Sequence, residues 1–263
     1  MRLLKLLLIW VGITAYLIFA LSFVSDRLGT QVCGKVRVHI KDSLNNNFIS
    51  KEDATDILLE KDRKILGYPL SKINTLELEK ILVGESFIKE ADVYKTVNGE
   101  LRVDILQRKP ILRIINRHGK SYYLDREGVI LPVSQKYTSR VLVANGNITE
   151  PFIEESTRSI FDLDVPEGMR NSVIYNLHSL ASFISDSELW RAQIAQIYVN
   201  SKYEYELIPR VGAHIIYLGD AQDYEIKFHK LEAFYLYGLN NKGWNSYDRI
   251  NLKYENQIVC TKR

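Results

Sequence analysis

The chain opens on an apolar run: from Leu6 to Val24 no side chain is charged. Wound as a helix, that run is ~28 Å long, close to the roughly 30 Å hydrocarbon core of a bilayer. It predicts a transmembrane helix over 6–24, with residues 1–5 as a short cytoplasmic tail and 25–35 as a polar linker. A cleaved signal peptide is the alternative, since Arg2 and Lys5 give a basic start and Ala20-Leu21-Ser22 a cleavage site. Signal peptides, however, usually carry only about 7–15 apolar residues.

Beyond the linker the period of the pattern changes. Val36-Arg37-Val38-His39-Ile40 alternates apolar and polar, which predicts a strand with His39 on its polar face. Ser50-Lys51-Glu52-Asp53 reads as a capping box, followed by Ala54, Ile57 and Leu58 at helical spacing. Gly67-Tyr68-Pro69 breaks the chain. Asn74 or Thr75 then caps a second helix whose apolar residues are Leu76, Leu78, Ile81 and Leu82. Asn98-Gly99 separates the strand-like runs Phe87–Val97 and Leu101–Arg108, and predicts a two-residue type I′ hairpin with positive φ at both positions. The order β-α-α-β-β follows.

From Pro110 short strands and turns dominate. Ile111–Ile115, Ser121–Asp125 and Val129–Leu131 are punctuated by His118-Gly119 and Glu127-Gly128. One helix is expected after Thr149-Glu150-Pro151. A longer one is expected over Arg170–Leu189, with Val173, Leu177, Leu180 and Ile184 as its buried stripe. Ile194–Val199, Tyr203–Ile208 and Ala213–Leu218 read as strands, Glu225–Tyr237 as a helix ending at Gly238, and Arg249–Tyr254 and Gln257–Lys262 as two last strands. The fold class is α+β: an N-terminal transmembrane helix, a βααββ module, then a mixed, sheet-rich second domain.

Charge adds one exclusion. Of 35 basic residues, Arg2 and Lys5 flank the apolar run, leaving 33 against 32 acidic residues beyond it. So even a balance does not suit a nucleic-acid binder. Two cysteines, Cys33 and Cys260, lack metal-ligand spacing and leave a disulfide open. The charges flanking the run barely decide its orientation. A long folded domain behind a very short tail favours the domains lying outside the cytoplasm.

The search for chemistry returns surfaces rather than a reaction centre. Gly84-Glu85-Ser86-Phe87 begins like a nucleophile elbow, but Ile88 stands where the final glycine is needed. The five histidines are scattered, and no phosphate-binding glycine loop occurs. Asp125 and Asp220 sit in turn contexts, where capping is the expected role. Glu154-Glu155 and Asp162/Asp164 read as solvated faces. No catalytic, cofactor-binding or metal-ligating residue is predicted, so a binding role outranks an enzyme.

In this order, Phe87-Ile88-Lys89-Glu90-Ala91-Asp92-Val93, the Asn-Gly hairpin, Leu106-Gln107-Arg108-Lys109-Pro110, Tyr122-Tyr123-Leu124-Asp125 with Gly128 and Leu131-Pro132, Tyr205-Glu206-Leu207, Gly219, Lys230-Leu231 and Asn251-Leu252-Lys253-Tyr254 resemble the FtsQ/DivIB family of bitopic bacterial cell-division proteins. The resemblance covers nearly the whole chain. It implies a POTRA domain over 36–108, an FtsQ-type β domain over 109–263, and no enzymatic activity or cofactor. It also implies a place in the inner membrane at the division septum, with both domains periplasmic.

The implied partners are FtsB- and FtsL-like single-span proteins and other membrane division proteins. An extended partner segment would add as a strand along the edge Gln257-Ile258-Val259-Cys260, with Val259 as an edge donor. Lys253 and Tyr254 match the family's basic and aromatic contact residues, and Lys202 more loosely another basic one. Asn251 and Lys253 stand where the family has an acidic residue and an arginine, and Lys lacks the arginine fork. The alternative is a POTRA-containing envelope transport or secretion accessory protein. Those usually carry several such units and a barrel, whose repeated alternating strands are missing here. A cell-wall hydrolase is a further rival, and would need a polar cluster in a pocket.

Overall fold

The computed structural model describes residues 10–19, 31–42, 46–59, 64–149, 159–162, 172–239 and 243–263. Residues 10–19 are helical with every side chain exposed, Trp10, Tyr16 and Phe19 among them. Among the described residues no helix is long and apolar enough to cross a membrane. The rest of the span expected over 6–24 lies outside them, as do the helix expected after Pro151, Glu154-Glu155 and Asp164.

The chain divides into two units, Met1–Gln107 and Arg108–Arg263. In the first, β1 (Lys35–Ile40), β2 (Ile88–Lys95) and β3 (Glu100–Gln107) form a sheet of order β1-β3-β2, with β1 parallel to β3 and β2 antiparallel. Two helices, α1 (Lys51–Leu59) and α2 (Thr75–Val83), pack on it. The capping box forms as expected: Asp53 N–H donates to Ser50 Oγ and Ser50 N–H to Asp53 Oδ2, both at 3.0 Å. Asn74 caps α2 by accepting from Glu77 N–H at 3.4 Å. Leu58 and Leu82 are fully buried against Leu101, Val103 and Ile105, each burial contributing about 1.5–3 kcal/mol.

Three expectations for this unit change. The hairpin is not two-residue type I′, because only Gly99 has positive φ (81°). Gly99 N–H donates to Thr96 O and Thr96 N–H to Glu100 O, so Val97-Asn98 form the turn and Gly99 the left-handed bulge of a three-residue loop. Leu76, expected on the apolar stripe of α2, is 67% exposed. The linker expected over 25–35 ends sooner: Cys33 N–H donates to Tyr68 O, Gly67 N–H to Cys33 O and Leu70 N–H to Gln31 O, all at 2.8 Å. Those bonds stitch residues 31–33 to the turn before α2. Residues 25–30 lie outside the described ones.

The second unit is one nine-stranded sheet, of order β12-β11-β10-β9-β8-β7-β4-β5-β6. Its strands are β4 (Pro110–Ile115), β5 (Ser121–Asp125), β6 (Ile130–Leu131), β7 (Leu142–Gly146), β8 (Ile194–Val199), β9 (Tyr205–Pro209), β10 (Ile215–Gly219), β11 (Tyr247–Asn251) and β12 (Val259–Lys262). Alternate residues such as Leu112 and Ile114, Ile197 and Val199, and Ile216 and Leu218 point into one core. That core also takes Leu177, Leu180 and Ile184 of α3 (Val173–Asp186), Trp190 of α4 (Glu188–Gln193), and Phe228 and Leu231 of α5 (Tyr224–Phe234).

The single helix expected over Arg170–Leu189 is broken at Ser187. Its extended backbone ends α3, and its hydroxyl accepts from Trp190 N–H at 3.3 Å to cap α4. Strand β7 has no counterpart in the sequence reading. It is parallel to both neighbours, β4 and β8, so no short turn signal marks it.

Asp125 is a turn cap as expected. Its Oδ1 accepts from Glu127 and Val129 N–H at 2.9 and 2.8 Å, and its Oδ2 from Arg108 at 3.0 Å. Asp220 likewise accepts from Gln222 N–H at 3.3 Å and from Lys227 at 2.6 Å. Both cysteines are free thiols, Cys33 buried in the first unit and Cys260 half-buried in the second. Burial pushes both thiols upward. Among the described residues, no cluster of His, Cys, Asp and Glu suits a metal ion.

Candidate functional site

Strand β12 ends the sheet, with β11 on one side only. Its register is antiparallel: Asn251 opposes Val259, Ile250 opposes Cys260 and Arg249 opposes Thr261, with a bulge between Tyr247 and Arg249. Arg263 N–H donates to Ser246 O at 3.3 Å. Because strand groups alternate sides, Arg263, Thr261 and Val259 turn their backbone groups toward β11. The N–H and C=O of Cys260 and Lys262 face outward, where no strand among the described residues pairs with them. The expectation for Val259 is therefore corrected: its N–H serves the ladder to β11, and the outward donors are Cys260 and Lys262.

The strand is also shorter than the expected Gln257–Lys262, starting at Val259. Gln257 is exposed and precedes the strand, whereas Ile258 and Cys260 are partly buried and pack on the core. The reason lies in the turn from β11 to β12. Lys230 of α5 reaches its carbonyls, donating to Leu252, Tyr254 and Glu255 O at 3.4, 2.7 and 3.1 Å. Burial lowers the Lys230 pKa, with the nearby Lys227 charge adding to that, against the pull of Glu255. The clamp fixes the turn's backbone and leaves the Tyr254 side chain 49% exposed beside the edge.

Lys253 is held rather than loose. Its backbone N–H donates to Asn251 Oδ1 at 3.0 Å, so the amide oxygen serves as the turn acceptor. Its ammonium meets Glu204 Oε1 at 2.5 Å and lies 5.6 Å from the centre of the Tyr217 ring. Tyr217 Oη also donates to Glu204. The hydrogen bond from Lys253, then that from Tyr217, lowers the Glu204 pKa; in return Glu204 raises both partners. Gly219, at φ 80°, allows this arrangement: a Cβ there would stand 2.6 Å from Lys253 Cγ.

Lys202 is exposed in the turn between β8 and β9, its N–H donating to Asn200 Oδ1 at 2.9 Å. No described hydrogen bond or ion pair joins its side chain to Lys253. The structure thus brings Lys253, Tyr254, Val259 and Cys260 to one end of the sheet, and Lys202 lies in the turn before β9 whose Glu204 holds the Lys253 ammonium. Sequence reasoning missed Glu204, Tyr217 and the clamping role of Lys230. These lie in the turn before β9, on β10 and on α5, and meet the C-terminal residues only through the sheet order.

Two known domain families match the chain: a POTRA-like domain over residues 31–106, and FtsQ/DivIB, C-terminal related, over residues 109–261. No curated protein matches it. The second match covers more than half of the sequence and falls on the unit that carries the β12 edge. The chain belongs to the FtsQ/DivIB C-terminal related family.

Proposed function

We propose that this protein is a non-enzymatic scaffold of the bacterial divisome, anchored in the inner membrane by residues 6–24 with both units periplasmic at the septum. It captures FtsB- and FtsL-like single-span proteins by strand addition along β12. The observation that carries this reading is the open edge: two outward N–H groups, at Cys260 and Lys262, on the last strand of the sheet. Paired backbone bonds there supply affinity, and neighbouring side chains supply choice. Tyr254 and Val259 offer exposed apolar contact, and Lys253 is pre-oriented by Glu204. Support for the anchor is the uncharged run itself and the exposed side chains of helical residues 10–19.

Tethering confines the chain and its partners to one plane, raising their effective concentration. The test is Lys262→Pro in the full chain, co-purified from membranes with FtsB- and FtsL-like proteins of the same cell. Proline removes one outward N–H and leaves the ladder to β11 intact, a placement sheet edges tolerate. Partner recovery is expected to collapse while the melting temperature stays within a few degrees. Undiminished recovery would overturn strand addition.

A further inference from the structure

The second unit carries a separate recess four strand intervals from β12, or roughly 19 Å at the usual strand spacing. It is a cleft of about 270 Å³ bounded by β4, β7, β8 and the α3–α4 junction. The floor is apolar, with Leu142, Ala181, Ile184 and Ile194 all buried. Around it stand four exposed arginines: Arg126, Arg140, Arg191 and Arg210.

None of the described lining residues is acidic. Asp186 offsets Arg126, and in a chain whose charges nearly balance the remaining three guanidinium groups around one cleft make a concentrated positive field. Arg126 pairs with Asp186, and Arg191 donates to Ser185 O at 3.3 Å. Among the described residues the side chains of Arg140 and Arg210 have no hydrogen bond or ion pair, so two planar forks are free to take carboxylates bidentately.

We propose that this cleft receives an acidic peptide segment of a partner protein. One aliphatic or aromatic side chain enters the floor, and carboxylates on either side meet the arginines. Size and polarity select this occupant. At about 270 Å³ the cleft accommodates a single large side chain. A bare inorganic anion would leave the apolar floor unused. A lipid surface would meet the arginines but not a recessed floor.

The test uses the full chain in detergent micelles and a fluorescent synthetic hexapeptide, Leu-Phe between two pairs of acidic residues, read by anisotropy. Saturable binding is expected. It should weaken about tenfold or more in the double variant Arg140→Glu/Arg210→Glu and when salt rises from about 50 to 300 mM. Lys262→Pro should leave it unchanged, which separates this site from the β12 edge. The pair Arg140→Lys/Arg210→Lys keeps charge but not the fork, and should fall between; it serves also if the reversed charges disturb folding. Several results would overturn the proposal: no saturable binding, equal binding of the same peptide with amides for carboxylates, or indifference to both double variants. So would arginine-dependent binding of inorganic phosphate or of phosphatidylglycerol vesicles in place of the peptide.

Discussion

The two units treat their sheet edges differently. In the first, β1 and β2 are the edge strands, and on β2 Glu79 of α2 reaches across and accepts the N–H of Val93 at 2.8 Å. A side chain thus occupies the place a partner backbone would take. In the second, no described residue covers Cys260 and Lys262 in this way, and the nearby Lys230 directs its donors to the preceding turn. A bare edge invites association, and proteins commonly blunt it with charge, twist or a covering group. Of these edges, β2 is covered at Val93 whereas β12 is bare, which accords with the proposed capture of partners at the second unit.

The largest effect should come from destroying the open edge. Lys262→Pro is expected to lower partner affinity tenfold or more, measured by titration of purified components. Val259→Pro attacks the ladder to β11 instead. It should lower both affinity and the melting temperature, and the pair of variants separates edge from fold.

Gly219→Ala comes next. Left-handed backbone costs a residue with a Cβ about 1–2 kcal/mol, and the new methyl meets Lys253 Cγ at 2.6 Å. A lower melting temperature with weaker partner binding is expected; unchanged values would dissociate Lys253 from the edge. Glu79→Ala should then cost the first unit about 1 kcal/mol by stranding the Val93 N–H. It also bares β2, so sedimentation should reveal new self-association, and a strictly unchanged mass would show that Glu79 does not guard the edge.

The smallest effect is electrostatic. The folded pKa of Glu204 is lowered, so its stabilising contribution is present above the unfolded value near 4.5 and is lost as pH falls through the lower folded value. Melting temperatures across that acid range should fall less in Glu204→Gln than in the parent. The same variant should bring the Tyr217 phenol back toward 10, observable in an absorbance titration.

Local patterns carried much of this molecule. The capping box at Ser50, the α3 stripe and the turn at Asp125 were legible because each depends on residues within a few positions. The hairpin at Asn98-Gly99 was half legible: the dipeptide marks a turn, but which residues occupy its centre depends on strand register. Leu76 fits helical spacing yet is exposed, since spacing alone does not say where a sheet ends beneath a helix. Strand β7 and the Glu204–Tyr217–Lys253 group were not legible, because parallel neighbours and sheet order bring together residues tens of positions apart. The arginine cleft was hidden for the same reason, its four cations lying on separate segments.

The far end of the nine-stranded sheet sets a limit on stoichiometry. Strand β6 spans only Ile130–Leu131, too little backbone to template an added chain. A sheet with one receptive margin and one vestigial margin has a valency of one in that direction. If partners add to β12 as proposed, each copy takes one guest strand along this sheet, and addition terminates there instead of propagating into a fibre. On that proposal, a fixed ratio of guest to host at this edge follows from the strand lengths.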